Sequence, residues 1–151
     1  MNEEPTAHSP YKIVVVDDDV IIRQTLAMAL KKNGYQAFPA SDISAALNTV
    51  RREKPDLMLL DISFPLDVAN VGGPAQDGFF VVEWLRRTPE AEKLPIIIIS
   101  STDPAKYKNQ LPAKGIVACF RKPLNHAELF ATMKSVLDRN VAATAPINAE
   151  I

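Results

Sequence analysis

The chain is poor in the residues that build covalent or metal cross-links. Its 151 residues include one cysteine, Cys119, so an internal disulfide or a cysteine-rich zinc site is excluded. That scarcity suits a reducing, cytoplasmic setting. Only two histidines occur, His8 and His126, too few to furnish a histidine-based zinc hydrolase. An excess of either charge is lacking too, because 17 basic residues against 18 acidic ones leave a net charge of −1. Direct nucleic-acid binding driven by bulk positive charge is therefore not expected. No apolar run approaches the roughly 20 residues that a bilayer span requires. Residues 1–10 carry Glu3, Glu4 and two prolines and lack the apolar stretch of a signal peptide. The expectation is a soluble cytoplasmic protein with no membrane insertion.

What is present is ordinary globular composition, 47% hydrophobic and 23% charged, at a length that buries a substantial core without staples. Twelve prolines fall mostly between short periodic segments, cutting the chain into alternating elements. Residues 12–16 form an apolar, β-branched run that ends abruptly at Asp17, the pattern of a buried strand. From Val20 the spacing becomes helical, with Ile22, Leu26, Ala29 and Leu30 on one face and a stop at Asn33-Gly34. Residues 35–38 read as a second strand. Ser41 is then expected to cap a helix that turns Ile43, Ala46, Leu47 and Val50 inward and ends near Glu53. Residues 57–60 give a third strand, again ending in a carboxylate, Asp61.

A loop over 62–76 leads to a helix over 78–87, with Phe79, Val82 and Leu85 as core contacts. Residues 96–99 are a fourth strand, followed by Ser100-Ser101. Asp103-Pro104 opens a short helix over 105–111, bounded by prolines and expected to be the most mobile helix. Residues 116–120 form the fifth strand. Asn125 with Glu128 approximates a capping box and starts a last helix to about Arg139. Strand and helix thus alternate five times over short connections. The expected class is α/β, a (βα)5 doubly wound domain with a five-stranded parallel sheet and helices on both faces. One domain over 11–139 is flanked by an N-terminal tail, 1–10, and a C-terminal tail, 140–151.

Several features have a structural explanation first. Lys31-Lys32, Arg51-Arg52 and Arg86-Arg87 fall in last helical turns, where cations complement the helix dipole. Cys119, in an apolar strand, and Trp84, among apolar helix residues, read as core, and His126 as a surface residue.

Ligands of such sheets bind at the carboxyl ends of the strands. The residues there are Asp17, Asp18 and Asp19, then Asp61, then Ser100 and Ser101, then Lys122. Clustered carboxylates repel unless a cation shares their site. An oxygen-only donor set favours a hard ion such as Mg2+. A carboxylate such as Asp61 can attack phosphorus and form an aspartyl phosphate, whose oxygens Lys122 and a serine hydroxyl can then bind. Taken singly, these residues are also ordinary turn and cap residues.

Lys12-Ile13-Val14-Val15-Val16-Asp17-Asp18-Asp19 through Arg23 resembles the opening of a response-regulator receiver domain. Residues 55–65, centred on Leu59-Leu60-Asp61, resemble its phosphoacceptor strand. Residues 95–101 and Arg121-Lys122-Pro123-Leu124 resemble its two remaining signatures, in order. The resemblance covers about 11–139 and implies a flavodoxin-like sheet with strand order 2-1-3-4-5. It implies that Asp17 and Asp18 hold Mg2+ together with Asp61 and the backbone carbonyl of Ser63. It further implies that Asp61 takes a phosphoryl group from a histidine kinase or histidine phosphotransfer protein. Ser100 takes the switch position, Lys122 is the phosphate-pairing lysine, and a cis proline peptide follows it. Asp19 lies outside the acidic pair and reads as a helix cap. Such a module is not an enzyme beyond its own phosphorylation and dephosphorylation, and it acts through contact with a downstream protein.

Three departures from the family pattern stand out. The aromatic switch position, three before the lysine, holds Cys119, and Phe120 points to the other side of the strand. Coupling from Ser100 to an aromatic rotamer is therefore not expected. Residues 66–76, Leu66 to Gln76, form an insertion between Pro65 and Asp77-Gly78, and a surface loop of that length costs little. No output domain follows the last helix, so a stand-alone receiver is the expectation. One alternative is a pseudo-receiver that binds partners without phosphorylation, which the intact Asp-Asp, Asp, Ser and Lys set argues against. A remote one is a haloacid-dehalogenase-type phosphatase, whose opening motif Val16-Asp17-Asp18-Asp19-Val20 resembles. That reading lacks the later acidic pair such enzymes need, since only Glu128, Asp138 and Glu150 follow Lys122.

Overall fold

A computed structural model describes residues 10–61, 82, 85–101 and 115–144, the last five of these by backbone only. The strands are β1 (Lys12–Val16), β2 (Gln36–Ala40), β3 (Leu57–Asp61), β4 (Ile96–Ser100) and β5 (Ile116–Arg121). The described helices are α1 (Val20–Lys32), α2 (Ile43–Glu53) and α3 (His126–Thr144), with a 3-10 turn at Pro89–Ala91. All strand pairs are parallel, in the order β2-β1-β3-β4-β5. The parallel sheet is the one expected from the alternating pattern, and its order is the flavodoxin-like one that the resemblance implies.

Every residue of β3 and β4 is buried, which explains why these central strands read as continuous apolar runs. Their side chains alternate between two cores. On one face Val14, Val16, Met58, Leu60, Ile96 and Ile98 pack with Ala46, Leu47 and Val50 of α2. On the other, Ile13, Val15, Leu57, Leu59, Ile97 and Ile99 pack with Leu26 and Leu30 of α1 and with Leu129, Met133 and Val136 of α3. Val82 and Leu85, both expected as core, belong to the α2 face.

Beyond single-residue shifts of strand ends, the elements differ from expectation in four places. β2 runs on through Pro39 to Ala40, because an edge strand accommodates a residue without an N–H. α2 is capped by Asp42 and not by Ser41, with the Ala45 N–H donating to Asp42 Oδ1 at 2.8 Å. α3 continues past Arg139 to Thr144, carried by Ala142 and Ala143, which favour helix. β5 contains a bulge. Ile96 pairs with Ile116 but Ile97 with Ala118, leaving Val117 as an extra, exposed residue. The caps at Asp19 and Asn125 are as expected, accepting from Ile21 and Ile22 N–H and from Glu128 N–H. The expected loop over 62–76, most of the expected helix over 78–87 with Trp84, the expected helix over 105–111 and both chain ends lie outside the described residues.

Candidate functional site

The carboxyl ends of β1, β3 and β5 converge. β1 delivers Asp17 and Asp18, β3 ends on Asp61, and Lys122 follows β5. Asp17 and Asp61 are buried, only 3% and 2% exposed, whereas Asp18 is exposed. One carboxylate oxygen from each of the three lies within 4.8 Å of the others. Lys122 Nζ donates to Asp61 Oδ2 at 3.1 Å and stands 3.5 Å from Asp17 Oδ2. Lys122 thus bridges the two buried carboxylates, with the exposed Asp18 carboxylate beside them.

Burial and, behind it, the neighbouring charges set the protonation of the site. Burial pushes the Asp17 carboxyl up to about 6, and the charge and hydrogen bonding of Asp61 add to it. The Asp19 N–H, which donates to Asp17 Oδ1 at 2.9 Å, and the Lys122 charge act in the opposite sense without overcoming it. For Lys122, burial pulls the ammonium down, but its bonds and charge interactions with Asp61 and Asp17 outweigh that and leave it raised. A three-carboxylate, all-oxygen cluster in which the Asp17 carboxyl resists ionising is a fitting seat for a hard divalent cation such as Mg2+.

Backbone contacts fix the rim. The Lys122 N–H donates to the Ser100 carbonyl at 2.9 Å, joining the ends of β4 and β5. Ser100 itself is buried. The Lys122–Pro123 peptide is cis, as the resemblance implies. Asp17, Asp18, Asp61, Ser100 and Lys122 thus meet at one rim, while Ser63 lies outside the described residues.

Cys119 packs against the α2-face core and Phe120 against the opposite one, so the phenyl ring does not substitute at the Cys119 position. Burial raises the Cys119 thiol to about 11, which keeps it protonated and unreactive near neutral pH. His126 is half-buried, not fully on the surface, with its ring centroid 5.7 Å from that of Phe130.

Two features escaped the sequence. An apolar groove of about 460 Å³ borders the rim, with walls from Ile21, Ile22 and Thr25 of α1 and from Lys122, Pro123 and Leu124. Val20, Ile21 and Met28 are exposed, and a helix apolar on both faces was the available signal. The second is Arg86, which donates to the carbonyls of Ala91 at 2.8 Å, Glu92 at 3.3 Å, Leu94 at 2.7 Å and Gly115 at 3.0 Å. It acts on the amino ends of β4 and β5 and not chiefly on the dipole of its own helix.

Comparison with known proteins finds relatives in both sequence and fold. Residues 13–134 match the model of the response regulator receiver domain. The transcriptional regulatory protein YxdJ of Bacillus subtilis is 34% identical over 128 residues, 85% of this chain and 51% of that protein. The response regulator MprA of Mycolicibacterium vanbaalenii is 32% identical over 130 residues, 86% of this chain and 52% of that protein. The chain spans about half the length of these curated relatives. Among solved structures, the Vibrio cholerae chemotaxis protein CheY4 superposes with a TM-score of 0.70 at 25% identity, covering 84% of this chain and 98% of that one. Among the described residues no helix is long and apolar enough to cross a membrane.

Proposed function

The chain belongs to the response regulator receiver family of two-component signalling, and on that premise we propose that Asp61 accepts a phosphoryl group from a phosphohistidine. The observation that carries this reading is the gathering of Asp17, Asp18, Asp61 and Lys122 at one rim. An Asp61 carboxylate oxygen attacks phosphorus, and the P–N bond of the phosphohistidine breaks as the O–P bond forms. The departing imidazole nitrogen keeps the electron pair of that bond. Lys122 Nζ, already on Asp61 Oδ2, moves to a phosphoryl oxygen and follows the charge. The Ser100 hydroxyl donates to a second phosphoryl oxygen.

Asp17, Asp18, Asp61 and the Ser63 carbonyl would hold Mg2+, which when bound neutralises charge shared between these carboxylates and the phosphoryl oxygens. The role of Ser63 rests on its motif position alone. The phosphodonor is a histidine kinase or a histidine phosphotransfer protein. The apolar groove beside Lys122 suits its docking, since a donor in line with Asp61 must approach over this rim. Output passes to a downstream protein by contact. Because Cys119 replaces the aromatic switch residue, that output does not run through an aromatic rotamer at this position.

An intact-mass spectrum after incubation with Mg2+ and acetyl phosphate tests the reading. The expected result is one added phosphoryl group, absent without Mg2+ and absent in Asp61→Asn. An unmodified wild-type chain that also fails to bind beryllofluoride would favour a phosphorylation-independent interaction module instead.

A further inference from the structure

The rim depends on how the turn between β1 and α1 is held, and every polar atom of Asp17 has a partner there. Its N–H donates to the Ala40 carbonyl at 3.2 Å, and its Oδ1 accepts from the Asp19 N–H at 2.9 Å. Its Oδ2 faces Lys122 Nζ at 3.5 Å. Its backbone carbonyl accepts from Arg23 Nη1 at 2.7 Å, a short bond of the charge-assisted kind. Asp18 is different. Its carboxylate lies in the acidic cluster, yet among the described residues no side chain or N–H holds it. Its placement rests on the backbone, and the peptide plane from which it projects begins at the Asp17 carbonyl.

We propose that Arg23 is a positioning residue for the divalent-cation site, fixing the Asp17–Asp18 peptide plane so that Asp18 enters the cluster. The inference rests on the cation reading above and adds a residue that contributes no ligand atom. Arg23 is well placed for this role. Its own N–H donates to the Asp19 carbonyl at 2.9 Å, so the base of its side chain is anchored to the turn that its guanidinium closes. Asp19 caps α1 through Ile21 and Ile22. Residues 17–23 thereby form a closed unit linking strand end, turn and first helical turn. A partner that orients a ligand from outside the ligand shell typically accounts for about 10–100-fold in metal affinity.

The test is Mg2+ binding, read by competition against Mn2+ in electron paramagnetic resonance, with melting temperature in EDTA followed alongside. Arg23→Met keeps the aliphatic stem and removes the donors, and should weaken Mg2+ binding about tenfold or more. Arg23→Lys keeps one donor and should recover most of that loss. Asp18→Asn should weaken binding itself, and adding Arg23→Met to it should cost little more, because Arg23 acts through Asp18. An Arg23→Met affinity within about twofold of wild type overturns the positioning role even if the melting temperature falls, since additivity holds for a merely structural residue. Fully additive losses in the double variant overturn it as well. A wild-type chain with no saturable Mg2+ binding overturns the cation reading and the inference together.

Discussion

At the amino ends of the strands, charged side chains are consumed by the backbone. Arg86 spreads its guanidinium over the carbonyls of Ala91, Glu92, Leu94 and Gly115, and Asp56 accepts from the Lys12 N–H at 2.8 Å. At the carboxyl ends, Asp17, Asp18 and Asp61 cluster, and Lys122 pairs with Asp17 and Asp61. The charges at the amino ends are half-buried, whereas Asp17 and Asp61 at the carboxyl ends are buried beside a third carboxylate. A buried charge with all its partners in the fold stabilises the fold. A buried cluster of like charges, with Asp17 raised to about 6, is poised for a cation that arrives from outside.

The contrast breaks if either end behaves like the other, and the largest expected effect is at the structural end. Arg86→Met strands several backbone carbonyls and should destabilise the chain by about 3 kcal/mol in urea unfolding, while leaving phosphorylation of Asp61 in place. Loss of phosphorylation in a folded Arg86→Met chain would contradict the division. At the other end the sign reverses. Asp17→Asn removes a buried charge that the fold disfavours, and should stabilise the metal-free chain by about 1–2 kcal/mol at neutral pH while abolishing its response to Mg2+.

The pH dependence sharpens the same point. The Asp17 carboxyl is raised from 3.8 to about 6, so between these values the folded chain holds a proton that the unfolded chain has released. Its contribution is fully present below the lower value and is lost as pH rises through the upper one. Melting temperatures of wild type minus Asp17→Asn, in EDTA, should therefore fall between about pH 4 and pH 6 and flatten above. A flat difference across that window would place the Asp17 carboxyl in an ordinary environment. The smallest effect belongs to neither end. Lys134→Ala breaks an exposed pair with Asp138, at 3.5 Å, and should change stability by less than about 0.5 kcal/mol.

The site was far more legible in the sequence than the amino-end clasp, and the reason is physical. Asp17, Asp61 and Lys122 each end a recognisable apolar strand, so strand periodicity alone sends them to one rim once the sheet is parallel. Arg86 reaches carbonyls up to Gly115, 29 positions away, and bonds to backbone leave no trace in side-chain pattern. The β5 bulge escaped for a related reason. Strict alternation would put Ile116 and Phe120 on one face, whereas the extra residue at Val117 places Ile116 with Cys119 and Phe120 opposite. Ser41 and Asp42 are both good caps, and only the backbone geometry chooses Asp42. Arg23 was visible as a motif position, but its bond to a main-chain carbonyl was not.

Thermal melting with and without Mg2+ and beryllofluoride, run in parallel on wild type, Asp61→Asn and Arg86→Met, tests the contrast most directly. A ligand that binds only the folded chain raises its melting temperature. The account predicts a clear rise for wild type, an equal rise from a lower baseline for Arg86→Met, and none for Asp61→Asn. A rise that survives in Asp61→Asn, or one that is lost in Arg86→Met, would contradict it.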